Sequence, residues 1–411
     1  TGLLNRDQFY EDVHDMVNKY HDTTFYLICS NIKDFKFINE IFGMEKGNQV
    51  LIKQAKLMAS NPSERTICAR LMNDRFALCL PREEFDEKRV ADSVKELQRE
   101  FSGNSFHLHT YMGVYEIRDR DEAVSIMVDK ANIAADTIKN NYDCCVAYYD
   151  EHLLEISIEQ RRLLGEFEPA LQKGEFVMYL QPQVNRDGAA KGAEALVRWA
   201  HPSRGILTPY AFIDILENAG LIYKLDLYIW EKAAQKLAEW KEKGYGSYHI
   251  SVNISTKDFY IIDIYETFTG LINKYGIAAS NLHLEITETT LMTDFEKNMN
   301  IIHKLQDVGF RVEIDDFGSG YSSLNMLKDI SADVLKIDMG FLRKSENEVK
   351  GQDILESIIT LAGKIGMDVI TEGVETKKQL DMLTMMGCHE FQGYYFSKPV
   401  PVSEFEEKYL V

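Results

Sequence analysis

The chain has 411 residues, too many for one ordinary core, so two domains are expected, one of them large. Hydrophobic residues at 45% and charged residues at 27% give the profile of a soluble globular protein and exclude a disordered or fibrous one. Lys and Arg total 46 against 65 Asp and Glu, a formal charge of −19, which argues against partners such as a nucleic-acid polymer or an anionic membrane and leaves carboxylates able to recruit divalent cations.

The opening residues, TGLLNRDQFY, carry neither a basic leader nor an apolar signal core, and no stretch approaches the ~18 uninterrupted apolar residues of a membrane span, so a cytoplasmic chain is expected. Thr1 stands where an initiator Met is usual. The chain is therefore expected to be cut from something longer, in which it is the cytoplasmic part of a sensor-linked or membrane-anchored protein. Six cysteines (Cys29, Cys68, Cys79, Cys144, Cys145, Cys388) show no C-x-x-C pair and no accompanying histidine spacing of a zinc site, which fits reduced thiols.

Residues 1–150 read as an α+β domain. A helical start is followed by TTFYLICSNI as a strand, a helical stretch near 35–59, and RTICARL and FALCL as a hairpin around Met72-Asn73-Asp74-Arg75. Residues 151–170 carry apolar residues at helical spacing with charges between them, the pattern of a connecting helix. From residue 176 onward, eight apolar runs rich in β-branched residues alternate with amphipathic helical patterns: 176–184, 192–199, 248–255, 282–287, 311–317, 334–338, 368–374 and 390–397. Most of the helical patterns end in a Gly, as expected just past a helix C-terminus. Eight such units in about 240 residues predict an α/β fold with a closed (β/α)8 TIM-like barrel. The competing doubly wound sheet lacks its Gly-rich turn after the first strand.

The polar residues of these runs fall at the strand ends that form the catalytic face of such barrels. The second run places Glu194, Leu196 and Arg198 on one face by its two-residue period. Asn253, Glu285 and Glu288, the Asp315-Asp316 pair, Lys336 and Asp338, Glu372 and Glu375, and Gln392 follow on later runs. So many carboxylates at one mouth repel each other unless a cation joins them, and their hard oxygens suit Mg²⁺ or Mn²⁺. Adjacent Asp315 and Asp316 have the chemistry to serve two ions about 3.5–4 Å apart. Taken singly, each acid reads equally as a solvated loop carboxylate or a helix cap. Lys336, inside the run VLKID, needs either a partner, in a structural salt bridge, or a chemical role, in orienting water and neutralising charge in a transition state.

EALVRW, SVNIS, LEITE, DDFGSGYSSL, LKID, TEGVE and FQGYYFSKP, in this order across residues 163–411, resemble the motifs of the EAL family of cyclic di-GMP phosphodiesterases. The resemblance implies two Mg²⁺ or Mn²⁺ ions held by Glu194, Asn253, Glu285, Asp315 and Asp316, with Lys336 near the nucleophilic water and Glu372 in the metal and water network. It implies substrate contacts from Gln181, Arg198, Asp338 and Gln392, and support of the DFGSGYSS loop by Glu288 and Glu375. Ser319, where the family usually has Thr, keeps the hydroxyl. The implied reaction opens one phosphodiester of cyclic di-GMP to linear pGpG, in a chain that dimerises through the barrel. A rival reading is a receptor whose barrel binds the dinucleotide without cutting it.

TGLLNRDQF, SNIKDFKFINEIFG, KGNQVL and ARLMNDRFALCLP in residues 1–150 resemble the GGDEF family, nucleotidyl-cyclase-like domains that make the same dinucleotide. The signature here is Met72-Asn73-Asp74-Arg75-Phe76, so its two glycines and one acid are missing, Asn31 stands where the family's metal-binding Asp is expected, and Asn48 replaces an Asp that the family associates with the guanine. An R-x-x-D inhibitory site is also absent, with Ser63 and Thr66 at its ends. The expectation is a degenerate domain without cyclase activity. Asn39 and Asp74 persist as a remnant that leaves GTP binding as a regulatory input open beside a purely structural role.

Overall fold

The structure, a computed structural model, describes residues 1–33, 35–60, 63–101, 108–139, 141, 144–317, 330–338 and 348–410, the side chains of 37, 40, 41, 316, 348 and 349 excepted. It divides into two compact units, Thr1–Arg162 and Leu163–Val411. The division falls inside a helix spanning Glu151–Lys173, which covers the predicted connecting helix.

The first unit is built on a five-stranded sheet of β1 (Phe25–Ile32), β2 (Ile67–Met72), β3 (Arg75–Pro81), β4 (Thr110–Glu116) and β5 (Val146–Tyr148), in the order β2-β3-β1-β4-β5. All pairs are antiparallel except β4 with β5. Every residue of β1 is buried because helices cover both faces. Phe9, Val13 and Met16 of the helix Arg6–Lys19 pack with Met127 and Val128 of the helix Val124–Thr137 over Leu27 and Cys29. Ile38, Val50 and Leu51 pack with Leu97 on the other side. The predicted hairpin is present: Asn73 and Asp74 link β2 to β3, and Asn73 has φ 51°, a left-handed conformation that Asn tolerates better than most side chains.

The second unit begins with β6 (Phe176–Val184), β7 (Ala190–His201) and the short β8 (Gly205–Leu207). It continues through β9 (His249–Ile254), β10 (Leu282–Thr287), β11 (Val312–Phe317), β12 (Val334–Asp338), β13 (Asp368–Glu372), β14 (Glu390–Phe391) and β15 (Val400–Pro401). Eight of these close a barrel in the order β6-β7-β9-β10-β11-β12-β13-β14 and back to β6. On β9, β10 and β11, Ile250, Val252, Leu282, Leu284, Ile286, Val312 and Ile314 join the apolar layer shared with the surrounding helices. The alternate residues of each strand therefore face the barrel interior.

Two features differ from the repeated parallel units expected. β6 runs antiparallel to both β7 and β14. Residues 185–189 are too few for a crossover, which needs about a dozen or more, so β6 and β7 form a hairpin. The last run, expected over 390–397, is a strand only at Glu390–Phe391. No described helix is long and apolar enough to cross a membrane, and all six cysteines are free thiols.

Gly113 on β4 allows a close helix approach: a Cβ there would lie 1.8 Å from the carbonyl oxygen of Ala131. Gly113→Ala is expected to cost the first unit about 1–3 kcal/mol by overpacking, seen as a lower denaturant midpoint by circular dichroism.

Candidate active site

Lys336 sits on the inward face of β12 with none of its side chain exposed. Its Nζ lies 2.8 Å from Glu285 Oε1, 2.7 Å from Glu372 Oε1, 3.4 Å from Glu194 Oε2 and 3.6 Å from Asp315 Oδ1. The four acids come from β10, β13, β7 and β11, so one ammonium ties together strands distributed around the barrel. Burial alone disfavours the charged amine, but Asp315, Glu194, Glu285 and Glu372 together reverse this and raise its pKa well above the usual lysine range. Burial pushes the Glu285 carboxyl strongly upward, and Glu194 adds to the effect against the pull of Lys336. Glu372 is likewise pushed up, to about 8, by burial first and then by Asp315 and Glu194 against the pull of Lys336.

Amides extend the cluster. Asn253, exposed at the end of β9, donates from Nδ2 to Glu194 Oε1 at 3.2 Å, and Trp230 holds the Asn253 carbonyl from behind with an indole hydrogen bond of 2.9 Å. Buried Gln392, just after β14, donates to Glu194 Oε2 and to Gln181 Oε1, and Gln181 Nε2 reaches the Ser397 carbonyl at 3.3 Å. The antiparallel pairing of β6 and β7 sets Gln181 directly opposite Glu194. Arg198, on the same strand as Glu194, places its guanidinium 5.5 Å from the centre of the Tyr179 ring, half-buried.

The structure thus brings together Glu194, Asn253, Glu285, Asp315, Lys336, Glu372, Gln181 and Gln392. Asp338 ends β12 in register with Glu372. Asp316 follows Asp315 in β11, but its side chain lies outside the described residues, as do Ser319 and the whole DFGSGYSS loop from Gly318 onward. Glu288 opens the helix Glu288–Thr293 directly after β10, and Glu375 is exposed beyond β13; the loop they were expected to support is among those undescribed residues. In the first unit Asn31 is buried on β1, Asp74 lies in the hairpin turn with Arg75 exposed beside it, and Asn39 and Asn48 lie on the helix Phe35–Met58.

A second polar cluster was not foreseen. Nearer the N-terminal ends of β9, β10 and β11, the His249 and His283 rings stack with centroids 3.9 Å apart, and His283 Nδ1 is 2.6 Å from Glu313 Oε1. Ser251 donates to the same carboxylate oxygen at 3.1 Å. The carboxyl of Glu313 is held at about 2: burial opposes this, but the hydrogen bond and charge of His283 outweigh it. The signal in the sequence was the two-residue step from His283 to Glu285 and from Glu313 to Asp315, which aims both members inward.

The EAL domain family model matches residues 165–399, and that of the diguanylate cyclase GGDEF domain matches residues 1–143. The chain belongs to the EAL family, with a GGDEF domain ahead of the barrel. The bifunctional diguanylate cyclase/cyclic di-GMP phosphodiesterase MucR of Pseudomonas aeruginosa is 30% identical over 93% of this chain and 57% of its own length. The cyclic di-GMP phosphodiesterase PdeR of Escherichia coli is 26% identical over 100% of the chain and 62% of its own length. The chain therefore spans about three fifths of each of these curated relatives. Among solved structures, the PaMucR phosphodiesterase in complex with c-di-GMP has 33% identity and a TM-score of 0.57 over 59% of this chain and 99% of that one. The S helix-GGDEF-EAL part of Vibrio cholerae LapD shares the fold over 95% of this chain and 93% of its own, with a TM-score of 0.60 and 18% identity.

Replacing Lys336 by Met removes the counter-charge of four clustered acids. Without divalent metal, K336M is expected to lower the unfolding free energy by about 3–5 kcal/mol, read as a lower guanidinium midpoint at unchanged slope.

Proposed function

We propose that the barrel hydrolyses cyclic di-GMP, opening one phosphodiester to give linear pGpG. The observation that carries this reading is the buried Lys336 ammonium paired with four carboxylates from four strands at one mouth. One ammonium cannot balance four carboxylates, and burial first, with the neighbouring acids adding to it, pushes the carboxyls of Glu285 and Glu372 up. The donors are carboxylate and amide oxygens, a set that fits Mg²⁺ or Mn²⁺. Glu194, Asn253, Glu285, Asp315 and Asp316 would hold two such ions, which would activate a water for attack and neutralise charge on the phosphoryl oxygens.

The protein's own groups complete the site. Lys336 lies within reach of Glu285 and Glu372 and is charged, so it serves to orient the attacking water and to offset charge developing on phosphorus. Glu372, with a carboxyl shifted toward neutrality, shares in the water network. Gln392 and Gln181 form an amide pair against Glu194, and with Arg198 and Asp338 they are assigned to the dinucleotide. Glu288 and Glu375 are assigned to steadying the loop after Asp316. We assign the barrel to the cytoplasm and dimerisation to the barrel. Residues 1–150 form the degenerate GGDEF domain, joined by the helix of 151–170 to the barrel of 163–411.

That domain is proposed to lack cyclase activity. Asn73, not Gly, takes the left-handed turn position, Arg75 adds a cation at the signature, and Asn31 offers no charge to a metal. Asn39 and Asp74 leave it a regulatory role through GTP.

Incubating the chain with cyclic di-GMP and Mg²⁺ or Mn²⁺ is expected to yield pGpG by chromatography, with Ca²⁺ inhibiting because its looser coordination does not reproduce a close two-ion geometry. Lys336→Ala and Glu194→Ala should each abolish turnover. Retention within a few-fold of the parent would mean the site is misplaced, and tight binding with intact substrate would favour the receptor reading. Titrating GTP is expected to alter the phosphodiesterase rate without forming cyclic di-GMP; no binding and no rate change would leave the GGDEF domain a structural role.

A further inference from the structure

Just past Asn253 the chain turns, over residues 255–258, into the short helix Asp258–Ile261. Each residue of the turn is tied to a neighbour. Ser255 N and Oγ both donate to Asp258 Oδ2, each at 2.8 Å, and Thr256 Oγ1 lies 2.7 Å from Thr290 Oγ1 in the helix after β10. The Lys257 ammonium donates to the Glu217 carbonyl oxygen. Asp258 has no exposed surface, and its carboxyl is hydrogen-bonded to that of Asp226, from the helix Ile222–Glu242. One turn further along that helix stands Trp230, whose indole holds the Asn253 carbonyl. One helix face thus holds both the strand end that carries Asn253 and the turn behind it.

We propose that Asp226 and Asp258 share one proton and act together as positioning residues that set Asn253 for its metal ion, which rests on the reading of Asn253 as a metal ligand. Two ionised carboxylates have no donor between them, so a hydrogen bond joining them needs a proton on one. The turn decides which. Asp258 Oδ2 already accepts twice from Ser255, which suits the anion, and its Oδ1, with no other donor among the described residues, is left to accept from Asp226.

The surroundings agree. Asp226 lines a cavity of about 270 Å³ in which Glu217, from the helix Ile213–Ala219, is the other charged residue among those described, with Asp214 and Lys257 beside Glu217. From β10 and the helix after it come the hydroxyls of Thr287 and Thr290. Burial first, then Asp258 and the charge of Glu217, push the Asp226 carboxyl well above the usual aspartate range. Burial pushes Asp258 up as well, against the hydrogen bonds from Ser255 and Asp226. Loss of the shared proton would set two negative charges against each other between the helix face and the turn.

The test uses the chelator-treated full chain, with the denaturant midpoint followed over a pH series and Mn²⁺ affinity read from the electron paramagnetic resonance of free Mn²⁺. Asp226 binds its proton more tightly folded than unfolded, so its contribution is complete below the ordinary aspartate pKa of about 3.9 and is lost as pH rises through the raised folded value. Asp226→Asn supplies an N–H donor at every pH. Its midpoint is therefore expected to gain steadily on the parent's as the pH rises, and its Mn²⁺ affinity to stay at the parent's. Asp226→Leu, which supplies no donor, should weaken Mn²⁺ binding about 10- to 100-fold, the loss usual when a partner behind a metal ligand is removed. A midpoint difference between Asp226→Asn and the parent that does not change with pH, or an unaltered Mn²⁺ affinity in Asp226→Leu, would overturn the proposal. Should Asp226→Leu fail to fold, the pH course of Asp226→Asn decides alone. Turnover enters neither reading, so a parent that binds Mn²⁺ and leaves cyclic di-GMP intact would sink the hydrolase reading, while these two measurements would still decide the role of the pair.

Discussion

Everything at the mouth of the barrel depends on one buried ammonium. Desolvating a lysine and several carboxylates costs several kcal/mol per ion, which no single pair would recover. Lys336 meets this cost by touching Glu285 and Glu372 closely and Glu194 and Asp315 more loosely. The acids need it as much as it needs them, since Glu194 raises the pKa of Glu285 and Asp315 raises that of Glu372. The cluster is stable as a set, and it still carries more negative than positive charge. Such a surplus of negative charge is one that added positive charge would stabilise.

The antiparallel first strand is what completes the constellation. Because β6 turns straight back into β7, Gln181 lies opposite Glu194, and closure of the barrel between β14 and β6 brings Gln392 to both. An all-parallel arrangement would have placed a helix between the first two strands. The amide pair would then have been separated from the acid that it now buttresses.

Polarity also continues downward through the barrel. Glu285 and Glu313 are register partners on β10 and β11, both without exposed surface, yet their surroundings drive them in opposite directions. Glu285 sits among other acids and is shifted up, while Glu313 accepts hydrogen bonds from His283 and Ser251 and is shifted down. Identical side chains one strand apart thus take different roles through their neighbours. The three strands β9 to β11 carry this polar column, and β12 and β13 retain an apolar lower layer.

Much of this was legible along the chain. Runs of alternating β-branched residues marked all eight barrel strands, Asn73-Asp74 marked the hairpin turn, and ordered motifs marked the EAL barrel and its partner domain, because strand period, turn chemistry and motif order are local properties. The two-residue period put Glu194 and Arg198 on one face, and Glu285, Asp315 and Lys336 were legible as strand-end residues of the barrel's catalytic face. Tertiary structure decided the rest: the direction of β6, the choice of Glu285 and Glu372 as the nearest partners of Lys336, and the meeting of His249, His283 and Glu313. Those residues lie tens of positions apart, and only barrel closure and register bring their side chains within a few ångströms, which no local pattern can express.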